Sequence, residues 1–200
     1  MMQDVQVRSQ LLPLLRSPLI GELLAWLFLH PETSSSVVEL ARRFKVSQST
    51  VSREVSHLAA AGLLREERRG RLRLVAADLS GPLARPLTEL LALTYGPAAV
   101  LADLLPRIDG VDEAFIYGSW AARYAGTAGP APRDVDVLVV GDADDDDLAD
   151  AARSAERLLG REVNLHRVSA AAWRSADDDP FLTSVRSRPS YPIVEPGDHS

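Results

Sequence analysis

The feature that most constrains this chain is a change of period at Gly62. Upstream, apolar residues recur at helical spacing; downstream, "LLREERRGRLRLV" alternates apolar and charged residues around Arg69-Gly70. Leu19, Ile20, Leu23, Leu24 and Leu27 mark a first helix that Pro31 stops. Ser34 to Ser36 offer N-caps for a second, Val37 to Phe44, with Val38, Leu40, Ala41 and Phe44 expected inside. After the brief turn Lys45-Val46-Ser47, Ser47 caps a third helix. Val51, Val55 and Leu58 form its apolar stripe, and Gly62 ends it as a C′ residue does.

Two helices joined by so tight a turn, followed by a small hairpin whose polar positions are largely arginine, have the layout of a winged helix-turn-helix. Gln48, Ser49, Thr50, Ser52, Arg53 and His57 lie at the start of the third helix or away from its apolar stripe. Short polar side chains there can reach base edges and phosphates in a major groove of double-stranded DNA. Arg68, Arg69, Arg71 and Arg73 on the wing would supply salt-dependent phosphate contacts. The bland alternative is a solvated helix face and a charged hairpin used for protein docking. The run from Glu39 to Val75 resembles the arsenic-repressor-like and MarR-like winged-helix regulators, over about residues 17–78. That resemblance implies DNA binding to two half-sites by a homodimer.

Charge divides the chain the same way. Residues 1–80 carry 11 Lys+Arg against 8 Asp+Glu, and residues 81–200 carry 11 against 20. A basic front and an acidic back imply two modules with different partners, which the net charge of -6 conceals. No cysteine is present, which excludes disulfides and thiolate metal sites and fits a cytoplasmic location. The apolar patch Leu19 to Leu29 is interrupted by Gly21 and Glu22 and is too short to span a bilayer, so no membrane role is expected. We therefore expect an α/β (α+β) protein: a winged helix-turn-helix domain over 1–80, a connecting helix over 81–96, and a small mixed-sheet domain over 97–200. In the connector, Ser80-Gly81-Pro82 opens a turn, Pro86 suits a helix N1 position, and Leu87 to Leu93 reads as helix.

In the back module, "VDEAFIYGS" is a compact strand ending on Gly118-Ser119, with a helix from Trp120 directly behind it. Free backbone N–H groups at such a strand-to-helix turn attract phosphate, and glycine lets the backbone come close. A Gly-, Pro- and Ala-rich loop, Gly126 to Arg133, leads to the strand "DVDVLVV". Side chains alternate along a strand, so Asp134 and Asp136 share a face, roughly 7 Å apart at the Cα level. Two carboxylates on one face repel, and a hard divalent cation such as Mg2+ or Mn2+ offsets that repulsion, usually together with substrate phosphates. The alternative is a pair of solvated acids at a strand mouth.

"GS", a loop, then "DVD" leading into an apolar strand resembles the polymerase-beta-type nucleotidyltransferases, in particular the minimal branch, from about Tyr95 to Val194. The resemblance implies that Gly118 and Ser119 hold the phosphates of an NTP. It also implies that Asp134 and Asp136 bind Mg2+ and that Arg123 neutralises phosphate. The spacer between Ser119 and Asp134 is longer than the usual pattern. The position of the family's third carboxylate falls on Asn164 in the strand "REVNLHRV". An amide can ligate a metal through oxygen but cannot accept a proton from an attacking hydroxyl. Glu162, two residues earlier on the same face, is the candidate substitute. The acidic run Asp142 to Asp147 reads as a helix N-terminal cap rather than a second metal site. His166 reads as structural, and Trp120 and Trp173 as core rather than base stackers.

Three functions fit. One is an enzyme transferring NMP from an NTP to a protein, RNA or small-molecule hydroxyl. Another is a transcription regulator whose nucleotidyltransferase fold only senses a nucleotide, which Asn164 favours. The third is an antitoxin-like module.

Overall fold

The structure is a computed structural model in which residues 17–129, 131–175 and 179–196 are described. Residues 1–16 of the expected front domain, Pro130 of the Gly126–Arg133 loop and the last four residues of the back domain lie outside that description. The chain divides into two compact units with the boundary between Gly96 and Pro97.

In the front unit α1 (Pro18–Leu29) is followed by a two-residue strand, β1 (Ser35–Ser36), and by α2 (Val37–Arg43). Ser36 and Glu39 form a reciprocal capping box, with the Ser36 hydroxyl accepting from the Glu39 amide and the Ser36 amide donating to the Glu39 carboxylate. α3 (Gln48–Ala60) starts on Ser47, whose Oγ accepts from the Thr50 amide. It ends where Gly62, with φ of 74°, turns the chain left-handed. β2 (Leu64–Arg69) and β3 (Leu72–Ala77) then form an antiparallel hairpin, with β1 on the other edge of β3. Arg69 pairs with Leu72, so the turn is Gly70-Arg71, one residue later than the alternation suggested. Past Leu64 every residue of β2 is exposed, so its polar pattern reflects a solvated edge strand rather than a half-buried one.

Leu23, Leu27, Phe28, Leu40, Val51, Val55, Val75 and Leu91 form the core of this unit. Leu40 and Ala41 of α2 are buried as expected; Val38 instead lies on the open side of the helix, 39% exposed. Residues 81–96, read from sequence as a connecting helix, contain α4 (Ala84–Tyr95), which packs on α1 and sends Ala84 and Leu91 into the same core. Burying a leucine is worth about 1.5–3 kcal/mol, enough to hold the helix down. Pro86 falls in the third helical position rather than the first, where its missing N–H still costs no intrahelical bond. The stretch Ala84–Arg107 has the length and composition of a membrane span. The backbone, however, leaves helix at Gly96 (φ −80°, ψ −170°) and divides it into α4 and α5 (Pro97–Leu104).

The back unit runs α5 (Pro97–Leu104), a 3-10 turn, β4 (Val111–Tyr117), α6 (Gly118–Tyr124), β5 (Asp134–Gly141), α7 (Asp145–Leu159), β6 (Glu162–Val168), α8 (Ala170–Arg174), α9 (Pro180–Arg186) and β7 (Tyr191–Val194). The sheet order is β6-β5-β4-β7, with β5 and β6 parallel and the other pairs antiparallel. The parallel pair needs a crossover, and α7 supplies it, lying against β6 and α5. Asp144 caps α7 and Asp145, Asp146 and Asp147 fill its first turn, so most of the acidic run is helix-capping as read. Beyond Asp136 the rest of β5 is buried on both faces. Leu138 and Val140 pack with Leu182 and Val185 of α9 on one face. Val135, Val137 and Val139 therefore point to the other.

Candidate functional site

On the front unit, α3 and the wing close around a cleft of about 340 Å3 lined by Ser36, Val37, Val38, Gln48, Ser49, Ser52, Arg71, Leu72 and Arg73. Gln48, Ser49, Arg53 and His57 are exposed, and Thr50 and Ser52 half-buried. Ser49 and Thr50 share the Ser47 hydroxyl at 2.8 Å each, which presets the N-terminal turn of the helix. Arg53 reaches Glu54 at 3.4 Å and His57 lies 3.8 Å from the same carboxylate. Arg68, Arg69 and Arg71 are exposed at the wing, with Arg69 Nε 2.9 Å from Glu67.

Arg73 behaves differently from its neighbours. Its guanidinium makes a two-bond pair with Glu66 across the hairpin (2.5 and 2.7 Å) and donates to Ser52 Oγ and Ser56 Oγ on α3 (2.7 and 2.8 Å). This hydrogen-bonded pair holds the Glu66 carboxyl below the usual carboxylate range and raises Arg73. Arg73 is thus committed to joining the wing to the helix, whereas the period-two pattern had placed it with the phosphate contacts. Glu66 and Ser56, its partners, carried no sequence signal as site residues. Only their distance across the fold reveals them.

On the back unit, strand register assembles the acidic face. Asp134 pairs with Glu162 and Asp136 with Asn164 in the parallel ladder, while Asp136 faces Tyr117 across the antiparallel one. Register partners share a face, so all five side chains line one side of the sheet. Asn164 Nδ2 lies 3.3 Å from Asp136 Oδ1. Gly118 has φ of 69°, and a Cβ added there would sit 3.0 Å from Asp136 Oδ2. A side chain at 118 would press on the Asp136 carboxylate and strain this left-handed backbone, so glycine suits the close approach of turn and strand mouth. α6 behind it is two turns long, so backbone approach rather than a helix dipole is what the turn offers. Ser119 is exposed beside it.

The donor set is all oxygen, which suits Mg2+, but among the described residues no group of three His, Cys, Asp or Glu is close enough to hold a metal. Two carboxylates fit the mode in which Mg2+ is held by one or two acids together with the phosphates of a bound substrate. Glu162 stands beside Asp134 without completing a three-acid cluster. Arg123 is not brought to the turn. It sits at the far end of α6, where its Nη1 donates to the Thr127 carbonyl at 3.0 Å.

One buried cation escaped the sequence reading. Arg161, 8% exposed, donates to the Pro132 carbonyl just ahead of Asp134 and lies 5.8 Å from the Trp120 ring. It ties the start of β6 to the loop that delivers the acids. Trp120 is core, 1% exposed, while Trp173 stacks on Phe115 with centroids 5.0 Å apart.

Residues 22–72 match the model of the MarR family. That match spans the winged-helix elements of the front unit, from α1 to the start of β3. Among solved structures, the transcriptional regulator BldR from Sulfolobus solfataricus is 25% identical. That match covers 51% of this chain and 70% of BldR with a TM-score of 0.38. BpsR of Bordetella bronchiseptica, whose DNA binding is regulated by 6-hydroxynicotinic acid, is 23% identical over 41% of this chain and 66% of its own, with a TM-score of 0.26. No curated protein matches. The family match ends at residue 72, and no comparison supports the nucleotidyltransferase resemblance of the back unit, which rests on its sequence motifs alone.

Proposed function

We propose that this chain is a double-stranded-DNA-binding transcription regulator of MarR type whose second unit binds an NTP together with Mg2+ or Mn2+. The observation that carries the first half is the cleft where Gln48, Ser49 and Ser52 of α3 meet Arg71 and Arg73 of the wing. Polar groups at a helix start beside a basic hairpin can read base edges and hold phosphates at once. Selection from a random duplex pool, followed by affinity measured against salt, tests it. A recovered sequence bound with a steep salt slope supports the reading, and binding that ignores salt overturns it. Two half-sites call for a homodimer. Leu83, at the N-cap of α4, and Leu90 and Leu93 along it are exposed and offer apolar surface for one.

The second half rests on the face shared by Asp134, Asp136, Glu162 and Asn164 and on the close approach of Gly118 to Asp136. A divalent ion, when bound, neutralises charge on the phosphates and on an attacking oxygen. Asp134 and Asp136 would hold the ion, while Gly118 and Ser119 would lie against the phosphates. A calorimetric titration of the full chain with Mg2+ and ATP tests it, and binding indifferent to Asp134→Asn or Asp136→Asn sinks the site. A nucleotide sensor is the reading favoured by Asn164, because an amide beside Asp136 cannot take up a proton. Transfer of NMP to a protein or RNA acceptor is the enzymatic alternative, with Glu162 as the base, and labelled NTP with cell extract separates the two.

A further inference from the structure

The sheet face that carries the acids ends in an aromatic group that none of the functions above uses. Phe181, at the start of α9, is 38% exposed. Tyr117 meets it edge to face, with centroids 5.8 Å apart at 78°, and His166 lies on it at 5.1 Å and 57°. These two rings come from opposite sides of the sheet centre. Tyr117 is the register partner of Asp136 on β4, and His166 is two residues beyond Asn164 on β6. Below them Leu138, Val140, Leu182 and Val185 close the face as core. Phe181 is therefore the boundary between the closed apolar part of this face and its open acidic mouth.

We propose that Phe181, held between Tyr117 and His166 beside Asp136, is the shelf on which the base of a nucleoside triphosphate stacks. The inference rests on reading the acidic face as a metal–triphosphate site. A base has an apolar π-face and polar edges, and it is joined to a triphosphate that needs cationic or metal-held charge. The face offers both in adjoining places: carboxylates able to hold a divalent ion at the mouth, and a partly exposed ring one residue row further in. Because Tyr117 and His166 fix the ring from two sides, stacking orders little that is not already ordered. His166, exposed and in contact with Phe181, has ring nitrogens that can meet an edge of the base or the sugar. Stacking reads every base, so the shelf provides affinity and only modest preference among ATP, GTP, CTP and UTP.

The test is a calorimetric titration of the full-length chain with Mg2+ and each of two probes, ATP and inorganic tripolyphosphate. Wild type should bind ATP more tightly than tripolyphosphate. Phe181→Leu, which keeps apolar packing but removes the ring, should weaken ATP about tenfold, the usual order for a lost base–aromatic stack, and leave tripolyphosphate unchanged. Phe181→Trp should retain the preference. Equal affinity of wild type for the two probes overturns the shelf while leaving the metal–triphosphate site standing. An equal loss for both probes in Phe181→Leu also overturns it, because the ring would then act through packing. If wild type binds neither probe, the underlying reading fails and the shelf falls with it.

Discussion

Arg73 Nη1 donates to Ser52 Oγ at 2.7 Å, and through that bond the second strand of the wing is fixed to α3. The same guanidinium holds Ser56 one turn along the helix and Glu66 across the hairpin. Wing and helix are thereby joined as one surface, while Arg71 stays exposed at the hairpin tip.

Arg73 and Arg71 should part ways under substitution. Arg73→Ala is expected to cost about 1–2 kcal/mol of stability, by leaving Glu66 and two hydroxyls without their donor at a partly exposed site. DNA affinity should fall while its salt slope holds. Arg71→Ala should leave stability alone and lower the slope by about one. Fluorescence anisotropy on a selected duplex across a KCl series, with urea melts, checks both; a slope that falls for Arg73→Ala would show a direct phosphate contact.

Acid should loosen the clamp in a defined window. The hydrogen bond from Arg73, aided by the charges of Arg73 and Arg68, lowers the Glu66 carboxyl from its unfolded value of 4.5. A depressed carboxyl contributes stability that is complete above the unfolded value and disappears as pH falls through the folded one. Urea midpoints between pH 6 and 3 should therefore drop more steeply in wild type than in Glu66→Gln, which lacks the titrating group. Parallel curves would refute the assignment.

Gly118→Ala should damage the back unit twice over. The left-handed backbone costs a residue with a Cβ about 1–2 kcal/mol. The added carbon would also meet Asp136 Oδ2 at 3.0 Å. We expect a lower melting temperature together with weaker Mg2+-dependent ATP binding. An unchanged ATP titration would remove the turn from the site.

Asn164→Asp restores an acid directly beside Asp136. Mn2+ affinity by calorimetry should rise, since a third carboxylate adds charge and a ligand to the same face. If the variant also gains label transfer from NTP where wild type has none, the wild-type role is sensing. Mn2+ affinity that does not rise would mean that residue 164 faces no metal.

Much of this was written locally. Ser36 with Glu39, Ser47 with Thr50, and Gly62 each mark a helix end through bonds among residues a few positions apart, so the sequence pattern predicts them well. The alternation of "DVDVLVV" likewise placed Asp134 and Asp136 on one face, and "REVNLHRV" set Asn164 and Glu162 on another strand of equal parity. The position of α4 was not legible: a helix with one buried leucine stripe reads the same whether it stands free or leans on α1. Nor was the fate of Arg73, since a period-two pattern reveals a strand face and says nothing of what lies across from it. The bond from Arg123 Nη1 to the Thr127 carbonyl was likewise not legible, since no periodicity reveals which acceptor a long side chain takes.

What the sequence determined by itself is whatever depends on period and on bonds that close within a turn: the winged helix over about residues 17–78, the two-module charge division, and a pair of acids sharing a strand face. Tertiary structure alone decided which long side chains are committed to partners. It turned Arg73 into a clamp, left Asp136 beside Asn164 and Gly118, and set Phe181 between Tyr117 and His166. The reason is physical. An arginine or an aromatic ring reaches several ångströms beyond its own backbone, and strand register and helix docking bring its partners from far along the chain.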